Sequence, residues 1–128
     1  MIIGIISPYS GDIEANKAYL KAIMSSILDE GHEPIAGHAM YPDALDDNDP
    51  EQRAKGMKAG QELLRVCSEV RIYTERGISK GMWEDIEFCR SNYLPLHVCV
   101  LGGGIPLTPD AYAMLRHMAP NGMRIQPV

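Results

Sequence analysis

The strongest constraint on this chain is the regular exchange between two hydrophobic periods. Ile2 to Ile6 (IIGII) is a short apolar run, and the turn-rich SPYSGD follows it. From Asp12 onward, Ala15, Tyr19, Ala22, Ile23, Ser26 and Ile27 recur at three and four residues, the spacing of an amphipathic helix. Asp12 can cap that helix and Gly31 can end it. The exchange then repeats. Glu33 to His38 (EPIAGH) reads as a weak second strand, and Pro50 opens a second helix carrying Ala54, Met57, Ala59, Leu63, Leu64 and Cys67. Val70 to Thr74 (VRIYT) is a third strand, followed by a helix through GMWEDIEFC. Leu96 to Leu101 (LHVCVL) is a fourth strand, and a last helix falls near Asp110 to Met118. The tail MRIQPV adds a short fifth strand.

Apolar strands alternating with helices predict an α/β architecture. We expect a doubly wound, flavodoxin/Rossmann-like parallel sheet of four to five strands, flanked by helices and joined by right-handed crossovers. Without internal repeats or a linker, residues 1–128 are expected to form a single domain.

Composition removes several function classes. The net charge of −5 and the acidic cluster Asp43, Asp46, Asp47, Asp49 and Glu51 argue against a nucleic-acid polymer as partner. No apolar run approaches the ~20 residues that span a bilayer, so no membrane partner is expected. Cys67, Cys89 and Cys99 lie in apolar segments without CxxC spacing, which predicts buried, reduced thiols and a cytoplasmic location. The histidines are scattered, so no metal site is expected. Neither GxGxxG nor GK[ST] occurs, so neither a dinucleotide cofactor nor a Walker loop has support.

In a doubly wound sheet, ligands sit at the carboxyl ends of the strands. That rule selects four loops: SPYSGD, GHAMYPD, TERGISKG and GGGIP. The third leads into a helix with two adjacent acids. Met82, Ile86, Cys89 and Tyr93 form a stripe that should face the sheet. At 100° per residue Glu84 lies roughly 170° from it, Glu87 roughly 130°, and Asp85 only about 70°. Glu84 and Glu87 should therefore be solvated, while Asp85 points toward the sheet edge, either as an acid that simply gains from the dipole at a helix start or as a candidate nucleophile or general base. Near a helix start its pKa should tend downward. Ser79, between Gly77 and Gly81, can cap the helix or help grip a phosphate.

With these residues the chain resembles the nucleoside 2-deoxyribosyltransferase superfamily, and within it the small members of bacterial and phage genomes. The likeness rests on SPYSGD after the first strand, Asn16 and Tyr19 in the first helix, His38 after the second strand, and YTERGISKGMWEDIEFC. It spans about residues 2–100. In catalytic members a helix-borne glutamate attacks C1′ of a (deoxy)ribosyl group, and water or a second base resolves the glycosyl-enzyme. The resemblance puts Asp85 in the glutamate's place and Gly81 at the turn before it. Ser79 falls where nucleotide-hydrolysing members hold the 5′-phosphate. Ser7, Tyr9, Ser10, Gly11 and Asp12 fall where members hold base and sugar, and His38 can hydrogen-bond a ligand from the second loop.

The resemblance thus implies a small-molecule nucleotide or nucleoside as partner, no cofactor, and a homodimer or larger homo-oligomer. Two departures stand out. Aspartate is one methylene shorter than glutamate, and Gln61 lies near where catalytic members carry an aspartate. The alternative reading is a non-catalytic pocket that senses or sequesters a nucleotide-derived signal.

Overall fold

The computed structural model describes residues 1–42, 44–46 and 48–118. The elements are β1 (Ile2–Ile6), α1 (Ile13–Asp29), β2 (Glu33–Ile35), α2 (Gly37–Met40), α3 (Pro50–Leu64), β3 (Glu69–Tyr73), α4 (Lys80–Ser91), β4 (Leu96–Val100), β5 (Gly103–Pro106) and α5 (Pro109–Met118). One sheet runs in the order β2-β1-β3-β4-β5. Strands β1 to β4 are parallel, and β5 lies antiparallel on β4. The doubly wound α/β architecture read from the sequence is therefore the one observed.

Side chains that alternate along the strands feed two cores. Ile3, Ile5, Tyr73 and Cys99 pack with Leu20, Ile23 and Ile27 of α1 on one face. Ile6, Val70, Ile72 and Leu96 pack with α3, α4 and α5 on the other. Burying both faces is why these strands read as apolar runs rather than alternating ones. Toward β4 the α1 face carries polar groups instead: Arg71 bridges Glu69 and Glu30. The helix ends follow local chemistry. Asp12 accepts from the Ala15 amide at 3.1 Å to cap α1, and Asp49 accepts from the Glu51 amide at 3.0 Å to cap α3, with Pro50 in its first turn. All three cysteines are buried free thiols. Among the described residues no helix is long and apolar enough to cross a membrane.

Several expectations need correction. The second strand stops at Ile35, and His38 lies in the short helix α2. GGGIP is not an open loop: the chain doubles back after Val100 and pairs as β5, with Cys99 opposite Gly104 and His97 opposite Pro106. Tyr93 does not belong to the α4 stripe. The helix ends at Ser91, and Tyr93 is 94% exposed with a φ of 55°. Glu87 is only partly solvated, because α5 packs beside it: it accepts from Tyr112 Oη at 2.7 Å and pairs with Arg90 at 3.1 Å. Glu84 is half-buried. The MRIQPV strand falls outside the described residues.

Candidate active site at the carboxyl edge of the sheet

From β1 the chain moves outward to β2, then crosses back to β3 on β1's other side. The loops leaving β1 and β3 therefore diverge to opposite faces, which opens a crevice at the carboxyl edge. The structure has a cleft there with about 850 Å³ of empty space, part of it open to solvent. Its floor is Ile5 and Ser7 at the end of β1, and its walls come from α2, α3 and the start of α4.

Asp85 reaches the cleft because Met82, Ile86 and Cys89 of α4 are buried against the sheet, which fixes the rotation of the helix. Ser79 sets where α4 begins, its Oγ accepting from the Met82 amide at 3.2 Å. From α3, Gln61 Nε2 donates to Asp85 Oδ1 at 3.3 Å. Gln61, notable in the sequence as a departure, is thus the residue that orients this carboxylate. The second oxygen, Oδ2, has no protein hydrogen-bond partner among the described residues.

The ionisation of Asp85 runs opposite to expectation. Burial pushes its pKa up to about 6; the Gln61 amide pulls it down and nearby Glu84 pushes it up. Asp85 is the sixth residue of α4. The helix-terminal field fades within the first turn, so loss of water dominates.

Ser7, buried at the end of β1, shares a 2.8 Å hydrogen bond between its Oγ and His38 Nε2. Burial pulls the His38 pKa down to about 4, which leaves a neutral imidazole at neutral pH. The approach of α2 to α3 holds His38 in place. A Cβ on Gly37 would lie 2.7 Å from the Gly60 Cα, so only glycine fits there.

The first loop is pinned by α1. Buried Asn16 donates through Nδ2 to the carbonyls of Tyr9 and Ser10 at 3.1 and 3.0 Å, and its Oδ1 accepts from Arg76 Nε at 2.8 Å. One turn on, Tyr19 Oη donates to Glu75 Oε1 at 3.1 Å. The pair therefore ties the loop after β1 to the turn after β3. Asn16→Ala removes three hydrogen bonds around a buried group, and we expect a loss on the order of 2–3 kcal/mol. Thermal unfolding reads this directly, and a wild-type Tm would contradict the assignment.

Of the residues selected from sequence, Ser7, Tyr9, Ser10, His38, Ser79, Gly81 and Asp85 all line this cleft. Gly11 and Gly77 do not line it; they are turn residues with φ of 92° and 84°. Asp12 is occupied in capping α1. The sequence reading placed Met57 and Leu64 on the second helix but missed that α3 walls the cleft, with Arg53, Gly56 and Gly60 beside them. Their spacing of three and four residues was a findable signal, as was the pair of glycines four apart, which leaves one helix face open. Tyr41 and Pro42, also in the wall, follow α2 and carry no comparable signal.

The family described as "Domain of unknown function (DUF7768)" matches residues 1–99. No curated protein matches the sequence. Among solved structures, a 2-deoxyribosyltransferase from the psychrotolerant bacterium Bacillus psychrosaccharolyticus aligns with a TM-score of 0.63 at 13% identity. That alignment covers 93% of this chain and 82% of that one. At this identity the likeness establishes a shared fold. A flavodoxin-like domain from Synechococcus sp. aligns with a TM-score of 0.37 at 15% identity, covering 98% of this chain and 85% of that one.

Proposed function

The chain belongs to the DUF7768 family, and we propose that its cleft binds a nucleotide and that Asp85 cleaves the N-glycosidic bond. The observation that carries this reading is the Asp85 carboxylate. It stands in a desolvated crevice at the strand ends, held through one oxygen by Gln61 and open at the other. An ionised carboxylate in that setting stabilises an oxocarbenium-like centre and attacks C1′. The sequence likeness to the deoxyribosyltransferase superfamily supports the substrate class, and the shared fold is compatible with it.

In the first step Asp85 Oδ2 bonds to C1′ as the C1′–N bond breaks, and the base leaves with the bonding electron pair. Water then displaces the carboxylate. Its hydroxyl goes to C1′ and its proton ends on the base, so one water is consumed and Asp85 is regenerated. His38, neutral and bonded to Ser7, serves to hydrogen-bond the ligand rather than to deliver a proton. Gly81 lines the cleft where a Cβ would meet nothing within 4 Å, so its surroundings leave space beside it.

A panel of nucleoside 5′-monophosphates, followed by chromatography for free base, tests this. Wild type is expected to release base from at least one member, and Asp85→Asn to slow release on the order of a thousandfold or more. Release that survives Asp85→Asn unchanged rules Asp85 out as nucleophile.

A second reading has its own observation in favour. Asp85 is short for a nucleophile, and the residue beside it is an amide that cannot act as a base. On that reading the cleft senses or sequesters a nucleotide intact. Stoichiometric retention of an uncleaved ligand in native mass spectrometry, with no base released, favours it.

A further inference from the structure

We propose that Arg53 sets the ligand class of this cleft: its guanidinium anchors a phosphate, so the site takes phosphorylated nucleosides in preference to free ones. The inference rests on the nucleotide reading above and sharpens it.

Arg53 is exposed and follows a strongly acidic stretch, whose described aspartates use their carboxylates within the stretch. Asp46 Oδ1 accepts from the Asn48 amide at 2.9 Å. Asp49 uses Oδ1 for the Glu51 amide at 3.0 Å and Oδ2 for Gln52 Nε2 at 3.2 Å. The guanidinium of Arg53 makes no ion pair or side-chain hydrogen bond among the described residues, and the side chain lies in the cleft wall. No other lysine or arginine among the described residues lines the cleft, and His38 there is neutral. An anionic ligand group therefore has one cation to meet.

The position along α3 gives that cation a meaning. Arg53 and Gln61 are eight residues apart in one helix, a rise of about 12 Å. Gln61 marks the level of Asp85. The cleft lining thus carries two opposite charges: the Asp85 carboxylate, level with Gln61, and a guanidinium, without a partner among the described residues, borne about two helical turns away along α3. A phosphate beside Asp85 would meet like charge, whereas at Arg53 it meets a planar donor suited to its oxygens. A ligand with its glycosidic carbon at Asp85 is then expected to extend its phosphate end toward Arg53. A free nucleoside leaves the guanidinium unused.

Calorimetric titration with matched sets of nucleosides, their 5′-monophosphates and their 5′-triphosphates, on wild type, Arg53→Gln and Arg53→Lys, tests this. Wild type should bind a phosphorylated form about tenfold or more tightly than its nucleoside. Arg53→Gln should erase that preference without changing nucleoside affinity, and Arg53→Lys should restore part of it. Equal affinities in wild type, a preference that persists in Arg53→Gln, or equal losses for both ligand classes would each overturn the anchor. Base release is followed in the same samples. If release depends on Asp85 while phosphate preference ignores Arg53, only the anchor falls. If preference depends on Arg53 and no base ever appears, the anchor stands and the cleavage reading falls. If no panel member binds, both fall.

Discussion

Asp85→Asn is expected to unfold at a higher temperature than wild type at about pH 7.5, while losing base release. The wild-type carboxyl is raised from its ordinary 3.8 to about 6, chiefly by burial. A raised carboxyl pKa means that the folded state holds its proton more tightly than the unfolded state does. Between 3.8 and about 6 the unfolded chain is ionised and the folded one is not, so stability falls as pH rises through that window. Above about 6 the full cost of the buried charge is present; below 3.8 it is absent. The rise corresponds to about 3 kcal/mol, and an asparagine that keeps one hydrogen bond with Gln61 should recover about 2 kcal/mol of it.

Chemical denaturation at about pH 7.5 and about pH 4 is the measurement, and the gain should shrink toward nil at the lower pH. A pH-independent gain, or none, would show that Asp85 is not strained by its surroundings. The same titration bears on chemistry. If the ionised carboxylate is the nucleophile, base release should rise with pH and level off above about 6, whereas a protonated general acid would give the opposite slope. Gln61→Leu removes a group that lowers the Asp85 pKa, so the inflection should move to higher pH.

How much of this was legible in the chain differs from residue to residue. The strand and helix alternation could be read because each apolar period is local and long enough to show. The placement of Asp85 followed from helix geometry alone, because Met82, Ile86 and Cys89 fix the buried side of α4. Its ionisation did not, because the burial that raises its pKa comes from tertiary packing, which a helical wheel does not contain. The edge strand β5 was hidden for a related reason. Three of the four residues in GGIP are Gly or Pro, which are depleted in strands, so its conformation is set by pairing with β4. Helix α2 spans only four residues, too few for a period to appear. The α3 wall was overlooked because an apolar stripe identifies a packed face, whereas a cleft face carries glycines and an arginine.

Gly37→Ala should be among the most destabilising single-methyl additions in the protein, while Gly60→Ala, across the same contact, should be tolerated. The two glycines touch, but the geometry is asymmetric. A Cβ on Gly37 would fall 2.7 Å from the Gly60 Cα and 3.1 Å from its carbonyl oxygen, both backbone atoms that cannot rotate away. A Cβ on Gly60 would lie 3.4 Å from the nearest atom of Gly37, ordinary contact. Relief at position 37 requires α2 and α3 to separate, and overpacking of this kind costs about 1–3 kcal/mol. At position 60, in the interior of α3, alanine also gains up to about 1 kcal/mol in helix propensity over glycine. The functional consequence follows from the neighbours: Gly37 precedes His38, and Gly60 precedes Gln61. Spreading α2 from α3 should break the 2.8 Å contact between Ser7 and His38 and weaken ligand binding beyond what lost stability explains. Denaturant midpoints for both variants, with ligand titrations below the unfolding transition, decide the matter. Equal costs at the two positions would mean that the close approach does not hold the cleft.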